Sequence, residues 1–240
     1  MKLYRALQSQ GFGSRKACRL RINKGEVAVN GTVCDDPDAE VDTNDLTLTV
    51  DGADWRYRDQ AYVLLHKPAG YECSHHPKHH PSVFALLPQL LVERGVQCVG
   101  RLDQDTTGLL LFSDDGQFIH RMISPKKGIA KVYRATCAEP LTEAMLAALA
   151  TGVQLSDEPA PIAALAVEAL DAHTLRLTLA EGKYHQVKRM IAAAGNHVDR
   201  LHREAVGAFA LPADLPPGGW RWLEAEDLKQ LEQAWPSATS

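Results

Sequence analysis

The nine residues Gly100-Arg101-Leu102-Asp103-Gln104-Asp105-Thr106-Thr107-Gly108 run straight into Leu109-Leu110-Leu111-Phe112, which Ser113-Asp114-Asp115-Gly116 closes. A short apolar run bounded by polar residues and glycine is the pattern of a buried strand. Asp103 therefore belongs to a loop delivered to the start of that strand, where a carboxylate can be aimed into a cleft. The spacing alone leaves a plainer reading open, in which the carboxylates cap a turn or pair with Arg101, as most loop aspartates do.

A chain of 240 residues can bury a sizeable core, either as one large domain or as a small one attached to a larger one. With 45% hydrophobic and 23% charged residues, it is neither disordered nor fibrous in composition. No apolar run is long enough to cross a membrane, and the opening Met1-Lys2-Leu3-Tyr4-Arg5-Ala6-Leu7 lacks the core of a secretory signal, so a cytoplasmic protein is expected. Cys18, Cys34, Cys73, Cys98 and Cys137 are odd in number, widely spaced and free of any C-x-x-C pair, which reads as reduced thiols. The run His75-His76-Pro77-Lys78-His79-His80 offers imidazoles without a carboxylate or cysteine partner, and Pro77 breaks helical spacing. No metal is expected there.

The N-terminal part reads as a helix from about Leu3, a turn at Gly11-Phe12-Gly13, and a second helix capped by Ser14 and stopped by Gly25. Alternation around Asn30-Gly31 indicates a hairpin, and the module is expected to end near Asp51-Gly52 with a polar linker to Gln60. The net charge of -4 conceals a cluster of cations, Lys2, Arg5, Arg15, Lys16, Arg19, Arg21 and Lys24. Arg15 and Arg19 lie one helical turn apart with Lys16 nearby, so an RNA backbone could meet several of them at once; charge alone equally allows a solvated helix face.

From Ala61 a larger domain begins with a strand over residues 62–65, then the turn Lys67-Pro68-Ala69-Gly70, where Lys67 reads as a surface lysine. Further along, residues 117–124 read as a helix and residues 130–136 as a strand that places Tyr133 on one face with Lys131 and Ala135. Residues 175–179 form another strand, followed by a helix whose stripe is Val187, Met190, Ile191 and Ala194, closed by Gly195. Lys188 lies beside that stripe, near the helix start, within reach of a cleft. A turn at Pro216-Pro217-Gly218-Gly219, a final helix after Glu224 and a frayed end over residues 236–240 complete the reading.

The block from Gly100 to Gly108 resembles the signature of the pseudouridine synthases, in wording closest to the branch acting on small-subunit ribosomal RNA. The pattern Gly11-x-x-Ser14-Arg15-Lys16, then Ile22-x-x-Gly25-x-Val27-x-Val29-Asn30-Gly31, resembles an S4-type RNA-binding domain, although Lys2-Leu3-Tyr4-Arg5 stands where many such domains carry Arg-Leu-Asp-Lys. The resemblance implies an α+β protein. A small S4-like domain with its linker would occupy residues 1–60, and a synthase domain with a mainly antiparallel mixed sheet, flanked by helices and loops, residues 61–236. It implies Asp103 as catalytic nucleophile or base, Tyr133 stacking on the target base, and Lys188, where the family commonly has arginine, keeping Asp103 ionised. Arg101 would assist a flipped base, Leu201 would pack against it, and Arg15, Lys16 and Arg19 would meet RNA. The Lys67 turn would support the cleft, and His185, given no proton-transfer role, would be structural or RNA-facing.

The implied reaction converts one specific uridine of 16S rRNA to pseudouridine without a cofactor, performed by a monomer on an assembling small-subunit particle. A synthase acting on 23S rRNA, and a non-catalytic RNA-binding or ribosome-assembly protein on the same fold, are the alternatives. Hydrolysis by Asp103 and Asp105 as paired acids finds no support, since neither a nucleotide-binding glycine loop nor a metal triad accompanies them.

Overall fold

In the computed structural model, which describes residues 1–235, Ser14 accepts a hydrogen bond from the Ala17 amide at 3.2 Å and so starts the second of two N-terminal helices. These are α1 (Leu3–Ser9) and α2 (Arg15–Asn23). They bury Leu3, Ala6, Leu7, Cys18 and Ile22 against the four-stranded sheet β2-β1-β3-β4, built from β1 (Val27–Val29), β2 (Thr32–Val33), β3 (Thr47–Val50) and β4 (Ala53–Arg56). Asn30 and Gly31 have φ of 48° and 81°, the paired positive values that a type I′ hairpin requires.

Asp51 and Gly52 repeat that geometry, with φ of 53° and 77°, and join β3 to β4. The expectation that the module ends there is corrected by this turn: Asp-Gly is a hairpin signal, and the segment read as linker supplies a strand. Gln10, fully buried, ties down the chain beyond β4 by donating to the Arg58 carbonyl at 3.0 Å and accepting from the Arg58 amide at 3.2 Å.

Two compact units make up the chain. The first joins Met1–Ala61 with Leu87–Gln97 and Ser113–Asp115. Its later segments contribute α3 (Gln89–Arg94), from which Arg94 donates to Gln10 Oε1 at 2.8 Å and to Asp114 at 2.5 Å.

The second unit contains Tyr62–Leu86, Cys98–Phe112 and the described residues from Gly116 onward. Its sheet follows the order β13-β5-β7-β11-β8-β10-β9, with β6 on β7 and β12 on β11. In chain order these are β5 (Tyr62–Lys67), β6 (Gln97–Val99), β7 (Thr107–Ser113), β8 (Lys131–Cys137), β9 (Ala166–Ala169), β10 (Thr174–Leu179), β11 (Val198–Val206), β12 (Phe209–Ala210) and β13 (Trp220–Trp222). β7 and β11 run parallel, whereas β11–β8, β8–β10, β10–β9 and β13–β5 are antiparallel, giving a mixed, mainly antiparallel sheet. The helices are α4 (Gly116–Ile123), α5 (Glu143–Thr151), α6 (Gln186–Ala193) and α7 (Ala225–Leu231). Leu64, Leu109, Leu111, Phe118, Met122 and Val206 lie in one buried cluster, which fixes the strand end from which the Asp103 loop departs. Residues 236–240, expected to fray, lie outside the described residues.

Candidate active site

The Asp103 loop is built around a buried cation. Lys67, at the end of β5, is fully buried, and its Nζ donates to four backbone carbonyls: Thr106 at 2.8 Å, Asp103 at 3.0 Å, and Gln104 and Pro68 at 3.1 Å. Burial pushes its pKa down. The surface reading of Lys67 is thus overturned, because the loop turns its carbonyls inward and only a long cationic donor can satisfy so many at once. The Thr106 amide closes the turn onto the Asp103 carbonyl at 3.1 Å, and the Gly70 amide holds the Gln104 carbonyl at 2.9 Å.

At the far end of the loop, Gly108 (φ 109°) meets β11 so closely that an added Cβ would stand 2.3 Å from the Arg203 carbonyl oxygen. This approach is the parallel pairing of Arg203 with Gly108.

The loop opens on a cavity of about 110 Å³ whose wall includes Arg101, Asp103, Tyr133, His185 and Leu201. Tyr133 lies on β8 opposite Arg203 of β11, and Leu201 pairs with Ala135 two residues further along, so both face the same space. Lys188 is not part of the wall, yet its Nζ is 3.3 Å from Asp103 Oδ2. Its tighter partner is Asp105, at 2.6 and 2.9 Å. Burial alone would lower the Lys188 pKa, but the hydrogen bond to Asp105 and the charges of both aspartates outweigh it and the pKa is raised. Asp105 shows the mirror balance: burial opposes ionisation, the Lys188 hydrogen bond and charge favour it more, and the net shift is downward. The resemblance implies Lys188 at Asp103 alone, whereas the lysine bridges two carboxylates of one loop. His185, expected to be structural or RNA-facing, has its Nε2 3.1 Å from Asp103 Oδ1.

Lys131 and Arg203 complete the cavity wall as buried cations. Burial, then the charge of Arg203, pushes the Lys131 pKa down to about 8. An unfolded chain keeps lysine near ~10.4, so below pH ~8 this ionisation costs the fold up to about 3 kcal/mol, and the cost fades as pH rises to ~10. Wild type is therefore expected to gain stability relative to Lys131→Met between about pH 8 and 10, read from denaturant unfolding at the two pH values; a constant difference would contradict this.

In the first unit, Arg15 and Lys16 are exposed on α2. Arg19 is pinned by a bidentate pair with Asp38 at 3.1 and 2.7 Å, so it is not a free cation of the helix face. Those bonds, with Lys2 adding a third, hold Asp38 well below the usual carboxylate range. The guanidinium carbons of Arg15 and Arg19 lie 5.0 and 5.1 Å from the centre of the Tyr4 ring, so the tyrosine that departs from the S4 pattern gathers the cations around it.

Comparison with known proteins decides the family. The family described as RNA pseudouridylate synthase matches residues 61–193, and the S4 domain matches residues 1–46. The chain belongs to the pseudouridine synthase family. This synthase is 38% identical over 233 residues, 96% of its own length and 99% of the other, to the ribosomal small subunit pseudouridine synthase A of Vibrio vulnificus. It is 44% identical over 170 residues, 71% of its length and 73% of the other, to the enzyme of that name from Escherichia coli K12. A solved pseudouridylate synthase covers 96% of the chain and is itself covered over 99%, at 32% identity and a TM-score of 0.68. No helix among the described residues of the synthase is long and apolar enough to cross a membrane, and no group of three or more potential metal-binding side chains occurs among them. In the histidine-rich loop the Glu72 carboxylate accepts the amides of Lys78, His79 and His80, which organises the loop.

Proposed function

We propose that the synthase isomerises a specific uridine of 16S rRNA, with Asp103 as the nucleophile or base. The observation that carries this reading is the convergence of Asp103, Tyr133, Arg101 and Leu201 on one cavity, with Lys188 ion-paired to Asp103. A base inside folded RNA cannot be reached, so the target nucleotide must be flipped into the cavity. Stacking on Tyr133 and packing on Leu201 offset part of that cost, while Arg101, exposed at the mouth, supports the vacated stack.

In the reaction the bond from N1 of uracil to C1′ breaks, the base rotates while held, and C5 bonds to C1′. The proton on C5 leaves and N1 ends protonated. Nothing is oxidised or reduced, and no group enters from outside, so the chemistry needs no cofactor.

Residues 1–60 supply the RNA-binding domain, with Arg15 and Lys16 as exposed phosphate contacts and Arg19 beside them, held by its pair with Asp38; residues 61–236 carry the catalysis. The reading has the enzyme act as a cytoplasmic monomer on an assembling small-subunit particle. The small-subunit names of the relatives support this choice of RNA.

Lys188→Met is expected to slow single-turnover conversion about 10- to 100-fold, since a mispositioned reacting group costs that much. Because the Lys188 pKa is raised, the ammonium stays charged through neutral pH and loses its proton only as pH rises through that pKa, so the deficit should hold across about pH 6–9. A deficit that vanished at neutral pH would contradict the pairing. The function itself is tested with 16S and 23S transcripts labelled with tritium at uridine C5. Release from 16S alone is the expected result; release from 23S alone would overturn the substrate, and release from neither would overturn the activity.

A further inference from the structure

His185 is held beside Asp103 with its backbone in the left-handed conformation. It precedes α6 with φ 48° and ψ 32°, in the left-handed region that side-chain-bearing residues seldom occupy. Such strain persists only where the surroundings impose it, and it concentrates at functional sites. Here the surroundings are visible. The Tyr184 ring stacks on the imidazole with centroids 3.9 Å apart and planes 15° from parallel. The Lys183 amide donates to Oε1 of the buried Gln186 at 2.9 Å, which fixes the turn on both sides of the histidine.

The result is a two-point hold on one carboxylate. His185 Nε2 lies 3.1 Å from Asp103 Oδ1, and Lys188 Nζ lies 3.3 Å from Oδ2. A carboxylate fixed at one oxygen can still rotate about its Cβ–Cγ bond, and fixed at both it cannot. Lys188 is shared with Asp105 and held more closely there, so on its own it is a loose guide for Asp103. A proton on Nε2 puts an imidazole donor within reach of Oδ1, 3.1 Å away, whether the ring is neutral or charged.

We propose that His185 is a positioning residue for Asp103, orienting the carboxylate toward the ribose of the flipped uridine while Lys188 supplies the charge. This rests on the reading of Asp103 as nucleophile or base.

Two substitutions separate donation from packing. His185→Phe keeps a ring for Tyr184 to stack on and removes the N–H, whereas His185→Gln keeps an N–H at the ε position and removes the ring. Using the full chain and a 16S transcript labelled with tritium at uridine C5, the single-turnover rate of His185→Phe should fall about 10- to 100-fold with RNA affinity unchanged. His185→Gln should stay within about threefold of wild type. A histidine that served only packing would give the reverse order. An active His185→Phe, or a His185→Gln no faster than His185→Phe, overturns the proposal. Asp103→Asn run alongside tells the two failures apart: if it is inactive while His185→Phe is fully active, the His185 role alone falls, and if it turns over normally, the role of Asp103 falls and this inference with it.

Discussion

Lys67→Met is expected to lower the stability of the synthase domain by about 3 kcal/mol or more and to abolish measurable turnover. Methionine matches lysine in length, so the substitution leaves little cavity. What it removes is the donor to the carbonyls of Pro68, Asp103, Gln104 and Thr106. Each buried carbonyl left without a partner costs roughly 1–3 kcal/mol, and the loop can escape only by turning those groups toward water. Asp103 belongs to that loop, so the escape moves the carboxylate out of register with Lys188. Thermal unfolding should show the transition about 6–12 °C lower for a domain of this size. A Lys67→Met protein with unchanged melting and normal rate would show that the ammonium cage does not hold the loop.

Gly108→Ala is the second large effect. The new methyl would stand 2.3 Å from the Arg203 carbonyl oxygen and 2.7 Å from its amide nitrogen, both of them backbone. A flexible side chain could swing aside, but a paired strand cannot, and φ of 109° is also poor for alanine. β7 and β11 must separate locally, which displaces Leu201 and Arg203 from the cavity wall. The expected cost is about 3 kcal/mol or more, together with a turnover loss larger than the loss of RNA affinity. Denaturant unfolding and single-turnover rates measure the two, and an alanine variant of wild-type stability would contradict the close approach.

These two positions also show how much of the molecule could be read in advance. The strand after Asp103, the Ser14 cap, the Asn30-Gly31 hairpin and the α6 stripe all rest on local pattern, and local pattern carried them. Lys67 misled because a lysine beside proline and glycine looks solvated; its burial depends on carbonyls some forty positions later, which no window of sequence displays. β11 escaped notice for a related reason. It carries Asp199, Arg200, His202, Arg203 and Glu204, and two irregularities in its pairing with β8 break the period of two. Glu204 accommodates two of the neighbouring charges by pairing with both Arg134 and Arg176. In the site, Asp103, Tyr133, Arg101 and Leu201 were named through resemblance, and the fold places them on one cavity. The approach of His185 to Asp103 and the sharing of Lys188 with Asp105 are not legible in the sequence, because both are set by how α6 begins and not by residue type.

Pseudouridine mapping of 16S and 23S rRNA in cells lacking this gene, complemented with either wild type or Asp103→Asn, tests both the target and the role of Asp103. One 16S pseudouridine should be lost, return with wild type, and stay absent with Asp103→Asn protein that still binds RNA. Return of the modification with Asp103→Asn would contradict the central claim.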